Sequence, residues 1–338
     1  MELLVNLKEH SYPIIISKGA INNLNNYLDI KGKILLVSDD LIPEAYISTV
    51  STQFNNVLIH RIKHGEDNKD LSTYQEILNV LSEKEFTRKD VVIALGGGLT
   101  SDIAGFAASS YMRGIDFYII PTTLLSQVDA SIGGKVAINF NGYKNQIGAF
   151  YQPKKVIIDP DTLKTLDKRL LLEGLAEVIK MSLTSNKNLF EYIENNDALS
   201  DLEYLILEAI KIKKDIVEKD EKENDIRQIL NFGHTVGHAL ELLSNGKLYH
   251  GEAVAIGMTY FVSDILKERL IRILKRYDLP YEDNYSTNDI MEKIKLDKKK
   301  TDKDNINIIY VDEIGKGETR NISLKELKEM IGGRKGEK

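Results

Sequence analysis

Along the first 160 positions, apolar residues fall in short β-branched runs separated by longer amphipathic stretches. Residues 33–38, 56–60, 91–95, 117–120 and 156–158 read as strands, with helices such as 72–85 and 102–110 between them. Strands that are apolar at almost every position, each followed by a helix, predict a parallel sheet covered on both faces. From about residue 162 the period becomes helical over 169–184, 202–219, 225–243, 252–267 and 288–296. The one exception is a hairpin pairing 306–311 with 319–322. The pattern predicts an α/β domain over residues 1–160 and a mostly α-helical domain over 161–338.

Composition supports that division. A chain of 338 residues with 42% hydrophobic content buries a large core and commonly splits in two. It has no cysteine, which excludes disulfides, thiolate ligands and a cysteine nucleophile, so any metal must take nitrogen and oxygen donors. The first nine residues lack the basic-then-apolar pattern of a signal peptide and no apolar run matches a bilayer, so a soluble cytoplasmic protein is expected, with no membrane partner. Net charge is −6 and basic residues alternate with acidic ones, most visibly over 211–227, which argues against a nucleic-acid partner.

The candidate chemistry is concentrated. Three of the six histidines lie in Asn231-Phe-Gly-His234-Thr-Val-Gly-His238-Ala239 and His250-Gly-Glu-Ala253. His234 and His238 share one helix face at four-residue spacing, and His250 follows a Gly/Asn break where a second helix can start. Such clustering suits a catalytic metal, although two packing histidines and a capping one would give the same spacing. The loop Gly96-Gly97-Gly98-Leu99-Thr100-Ser101-Asp102 joins a strand to a helix and leaves backbone N–H groups open to a phosphate. It matches neither Gly-x-Gly-x-x-Gly nor the P-loop pattern. Gly133-Gly134-Lys135 combines open backbone with an ammonium. Glu177 and Lys180 lie three apart on a helix otherwise carrying Leu175, Val178, Ile179 and Met181. They form either an intrahelical ion pair or a metal carboxylate beside a substrate-binding lysine.

These motifs, together with Tyr111-Met-Arg113-Gly114, Pro121-Thr-Thr-Leu-Leu125, Val128-Asp-Ala-Ser-Ile-Gly-Gly-Lys135, Lys144-Asn-Gln-Ile-Gly-Ala-Phe150 and Gly174-Leu-Ala-Glu-Val-Ile-Lys180, stand in order from about Glu66 to Lys299. Taken together they resemble the 3-dehydroquinate synthase family. The resemblance implies a Rossmann-like NAD-binding domain, an α-helical metal-binding domain and a homodimer. It implies zinc or cobalt on Glu177, His234 and His250, with His238 facing the substrate. NAD contacts would be Asp39, Glu66, Lys69, Gly98, Leu99, Thr100, Ser101, Asp102, Thr122, Thr123, Lys135, Lys144, Thr162, Leu163, Lys164 and Thr165. Substrate contacts would be Asp129, Lys135, Asn145, Lys180, Lys213, Arg227, Asn231 and one of Lys298 or Lys299, with Arg113 reaching the partner's site. The chain departs from the family pattern in having Thr100-Ser101 for Ile-Gly, Ala130 and Val136 for hydroxyl residues, and a shortened segment after Met258.

The implied substrate is a phosphorylated sugar acid, 3-deoxy-D-arabino-heptulosonate 7-phosphate. The implied reaction, a step of the shikimate pathway, is transient oxidation at C5, loss of phosphate, re-reduction, ring opening and internal aldol closure. Lys, Arg and Asn suit its phosphate, carboxylate and hydroxyls. The rivals are a sister sugar-phosphate cyclase, an NAD-dependent polyol or glycerol-phosphate dehydrogenase, and a non-enzymatic nucleotide-binding module. Arg227, Asn231 and the run Asp297-Lys298-Lys299 favour the first reading over the sister cyclase.

Overall fold

The structure is a computed structural model that describes residues 1–298 and 304–336, without the side chains of Asp297 and Lys298. Lys299 and the side chain of Lys298, both substrate candidates, lie outside the described residues. The described chain forms two compact units, Met1–Asp167 with Lys213–Lys222, and Lys168–Ile212 with Glu223–Lys338.

The first unit contains β1 (Glu2–Val5), β2 (Tyr12–Ile16), β3 (Ile34–Asp39), α1 (Glu44–Ser51), β4 (Val57–Ile62), α2 (Leu71–Glu83), β5 (Val91–Gly96), α3 (Gly98–Ser110), β6 (Asp116–Pro121), β7 (Lys135–Phe140), β8 (Tyr143–Phe150) and β9 (Lys155–Ile158). Seven strands make one sheet in the order β1-β2-β9-β6-β5-β3-β4, parallel from β2 to β4 with β1 antiparallel at the edge. Every residue of β3 and β5 is buried, which is why these runs read as almost continuously apolar. One sheet face packs Leu36, Ile93, Leu95, Ile120 and Ile157 with Leu24 and Ile47. Burying a side chain of this size contributes roughly 1.5–3 kcal/mol.

The hairpin β7–β8 was not evident from apolar alternation, because β8 is largely exposed and polar. Its signature was the turn instead. Asn141 and Gly142 connect the paired residues Phe140 and Tyr143 with φ of +50° and +79°, as a two-residue turn requires. β1 and β2 pair as well, and in β2 Pro13, opposite Leu4, interrupts the strand pattern.

The second unit contains α4 (Lys168–Ser185), α5 (Lys187–Asn195), α6 (Leu202–Lys219, of which Lys213 onward groups with the first unit), α7 (His234–Leu243), α8 (His250–Met258), α9 (Asp264–Arg276), α10 (Thr287–Lys298), β10 (Asn305–Glu313), β11 (Lys316–Ser323) and α11 (Leu324–Lys335). Two expected helices are corrected. Residues 225–243 divide into a 3-10 turn, Ile226–Asn231, and α7, because Gly233 takes φ +78° and ends helical propagation. Residues 252–267 divide after Met258, because the backbone of 261–263 pairs with β10: Val311 N donates to Phe261 O at 2.9 Å and Ser263 N to Val311 O at 3.0 Å. No helix among the described residues is long and apolar enough to cross a membrane.

Candidate functional site

In the second unit, close backbone contact between α7 and α8 creates the histidine cluster. A Cβ on Gly257 would lie 2.0 Å from Gly233 O, and one on Gly237 would lie 3.1 Å from Ala253 O. Only glycine permits that approach. It places His234 and His238 of α7 against His250, the first residue of α8, with ring centroids 5.1 Å apart for His234–His238 and His234–His250 and 5.8 Å for His238–His250. One nitrogen from each ring lies within 4.8 Å of the others. The start of α8 is clamped by Arg169, whose Nε and Nη2 donate to Glu252 at 2.6 and 2.7 Å while the guanidinium lies 3.8 Å over the Tyr249 ring.

Glu177 on α4 completes the cluster from a distant part of the sequence. It is fully buried, pairs with Lys180 one turn along, and places Oε1 3.7 Å from His250 Nε2. Its Oε2 faces the Lys180 ammonium and its Oε1 faces His250. A fully buried carboxylate needs positive partners; Lys180 is one, and the side toward His250 is where a divalent cation would be a second.

The imidazoles could hold a metal ion. His234 Nδ1 lies 3.0 Å from Phe232 O and His250 Nδ1 lies 3.2 Å from Glu241 Oε2. Carbonyl and carboxylate can only accept, so both rings carry hydrogen on Nδ1, and Nε2 is the nitrogen the neutral ring would offer a metal. Burial and the Lys180 charge hold His234 well below the ordinary histidine range, hence neutral. For His250, burial works downward, but the Glu241 hydrogen bond and the Glu177 and Glu241 charges leave its pKa raised. A nitrogen and oxygen donor set with buried negative charge fits zinc or cobalt. His238, the exposed member, lies close enough to be a fourth donor. The remaining predicted residues of this unit are Lys180 and Arg227, both buried, and Asn231, which donates to Glu223 Oε1 at 2.9 Å. Glu223 had no motif to mark it.

In the first unit, α3 starts at Gly98 instead of Asp102, so the glycine loop runs directly into a helix whose start carries no side-chain cap. Gly98, Leu99 and Thr100 form the first turn. Thr100 Oγ1 donates to Asp39 Oδ2 at 2.9 Å, and Leu41 N donates to Asp39 Oδ1 at 3.0 Å. Ser101 turns its hydroxyl back to Gly98 O at 3.0 Å, so the family departure fits within the helix. Ser101, Ala130 and Val136, three of the departures, line one small cavity with Asp102 and Ser131.

Lys69 is buried and donates to Asp102 Oδ2 and Asn145 Oδ1, each at 2.5 Å. Burial works to lower the Lys69 pKa, but the Asp102 and Glu66 charges outweigh it and leave it raised. Asn139, which no motif marks, donates to Glu66 Oε1 at 2.9 Å and accepts from Asn145 N at 2.9 Å, joining the hairpin to the loop of Glu66 and Lys69. Lys213 pairs with the carboxylate and carbonyl of Asp129. Gly133 N donates to Tyr12 Oη at 3.1 Å beside the exposed Lys135. Lys144 is exposed on β8. Thr122 is buried, while the Thr123 hydroxyl accepts Ser126 N. Thr162 bonds Asp159 O, Leu163 is buried, Lys164 pairs with Asp161 and Thr165 with Tyr46. Arg113 is exposed in a turn where it and Met112 take φ of +68° and +51°.

Two family models match consecutive parts of the chain: 3-dehydroquinate synthase N-terminal over residues 59–173 and 3-dehydroquinate synthase C-terminal over residues 174–300. A 3-dehydroquinate synthase of Caldanaerobacter subterraneus is 41% identical, covering 96% of this chain and 97% of the relative. One of Lactococcus lactis is 40% identical over 98% and 99%. Among solved structures, a 2-deoxy-scyllo-inosose synthase complexed with carbaglucose-6-phosphate, NAD+ and Co2+ superposes with TM-score 0.89 at 25% identity, covering 98% of this chain and 99% of that one. The 2-epi-5-epi-valiolone synthase of Streptomyces hygroscopicus, with NAD+ and Zn2+ bound, gives 0.88 at 25% identity over 98% of each. A probable glycerol dehydrogenase of Sinorhizobium meliloti shares the fold, with TM-score 0.65 at 16% identity. With both family models matched in sequence and relatives near 40% identity over almost the whole chain, this protein belongs to the 3-dehydroquinate synthase family.

Proposed function

We propose that the chain is a 3-dehydroquinate synthase that converts 3-deoxy-D-arabino-heptulosonate 7-phosphate to 3-dehydroquinate and phosphate. The observation that carries the site reading is the fully buried Glu177, brought from α4 to the Nε2 side of His250, with His234 and His250 each held through Nδ1 by a fixed acceptor. Glu177, His234 and His250 would hold the divalent metal. The open first turn of α3, with Asp39, Glu66, Lys69, Thr122, Thr123, Lys144 and the Thr162–Thr165 turn, would hold NAD. When bound, NAD supplies a reversible hydride acceptor and the metal a Lewis acid for the oxygen at C5.

The protein's own residues bind and orient. Lys180 and Arg227 are buried cations of one unit, suited to an anionic substrate group. In the other unit, Lys213 and Asp129 form a pair, and Lys69 ties Asn145 to the base of the phosphate loop. His238, exposed within reach of the cluster, would move the proton at the substrate's reacting end. Prealignment of this kind can supply on the order of 7–11 kcal/mol of a barrier. Arg113, exposed on its strained turn, would serve the partner's site in a homodimer. A similar solved structure, a 2-deoxy-scyllo-inosose synthase, is complexed with carbaglucose-6-phosphate, so the test is a panel. Phosphate release together with 3-dehydroquinate formation from the heptulosonate phosphate alone supports the reading. Preferential turnover of a hexose or heptulose phosphate lacking the carboxylate would move the chain to a sister activity.

A further inference from the structure

Carboxylates meet His250 at both ring nitrogens. Glu177 lies 3.7 Å from Nε2, and Glu241 lies 3.2 Å from Nδ1. Glu241 stands on α7, three residues after His238 and seven after His234, so the three share one helix face. Its side chain is 14% exposed, a setting in which a carboxylate needs a specific partner. A third acid, Glu173, faces the same helix end but meets backbone, accepting Gly251 N at 3.4 Å. Of the two acids outside the proposed ligand set, Glu241 is therefore the one placed to act on the ring.

We propose that Glu241 is the positioning residue of the metal centre: by accepting the Nδ1–H of His250 it holds the tautomer and ring plane that present Nε2 beside Glu177. Phe232 O performs the same task for His234 with a neutral acceptor. The negative charge of Glu241 additionally makes the His250 ring a stronger donor. The inference rests on the reading of Glu177, His234 and His250 as ligands.

The test is metal affinity of the metal-free protein, without NAD or substrate, by competition for Zn2+ against a chelating indicator, with the visible spectrum of the Co2+ form as a second readout. Glu241→Met, near in shape but without an acceptor, should bind Zn2+ on the order of 10–100-fold more weakly and alter the Co2+ spectrum. Glu241→Gln, whose side-chain carbonyl still accepts from Nδ1, should recover part of the loss. Affinity of Glu241→Met within about two-fold of the parent, or a Gln variant no better than Met, would overturn the role. If Glu241→Met does not fold, Glu241→Asp, which withdraws the carboxylate by one methylene, replaces it with the same expected direction and the same overturning result. His250→Ala run alongside separates the failures. If it keeps its metal, the ligand reading itself falls, and if it alone loses metal, only the positioning role does.

Discussion

Glu177 and His238 are the residues on which the account turns, since each marks a limit of what spacing reveals. Four-residue spacing made His234 and His238 equal candidates for a ligand pair, and geometry keeps His238 near the cluster while adding a carboxylate from α4. No local pattern could show that Glu177 would arrive there, because its place depends on tertiary packing. Glu177→Ala and His250→Ala should each lose bound metal as well as activity, measured by metal analysis of the purified variants. A full metal complement in both would contradict the assignment. His238→Asn should keep its metal and lose roughly 10²–10⁴ in kcat, as expected for a positioned proton-transfer group. Loss of metal in that variant would make the four-apart pair the ligands. Lys69→Met should weaken NAD binding, read by calorimetry, because it strips the buried partner from Asp102 and releases Asn145. Unchanged NAD affinity would confine Lys69 to a structural role.

At the level of elements, strands buried on both faces were legible because burial alone dictates an apolar run, as in β3 and β5. Elements stabilised by backbone pairing or turn chemistry were less so, and β7–β8 and the break between α8 and α9 are the instances. Glycine spacing around the histidines had a mechanical meaning that only packing exposes. Gly257→Ala would drive a methyl into Gly233 O, so α7 and α8 must separate. The expected result is a destabilisation of at least about 1–3 kcal/mol in denaturant unfolding together with weakened metal binding. A stable variant with parental metal affinity would show that the close approach is dispensable. Away from the site, Arg269 donates to both oxygens of Glu194, joining α5 and α9. The Arg269 hydrogen bond holds the Glu194 carboxyl below its ordinary range. Its contribution is therefore present above the unfolded value of about 4.3 and lost as pH falls through the lower folded value. Glu194→Gln should lower Tm at neutral pH by a small amount, given partial solvation, and the difference should vanish in acid. A pH-independent difference would deny the ion pair that role.

For the whole molecule, the claim to test is that an NAD-dependent dehydrogenase fold performs a reaction with no net redox change. If hydride leaves the substrate and returns to it before product departs, NAD is required but regenerated at each turnover. A net oxidation of the substrate would end with NADH instead. The most direct measurement follows phosphate release and NADH absorbance together, with the heptulosonate phosphate in large excess over a catalytic amount of NAD and with chelator added midway. The account predicts many equivalents of phosphate per NAD, no continuing rise in NADH, and arrest on chelation. NADH accumulating in step with substrate consumption would contradict it.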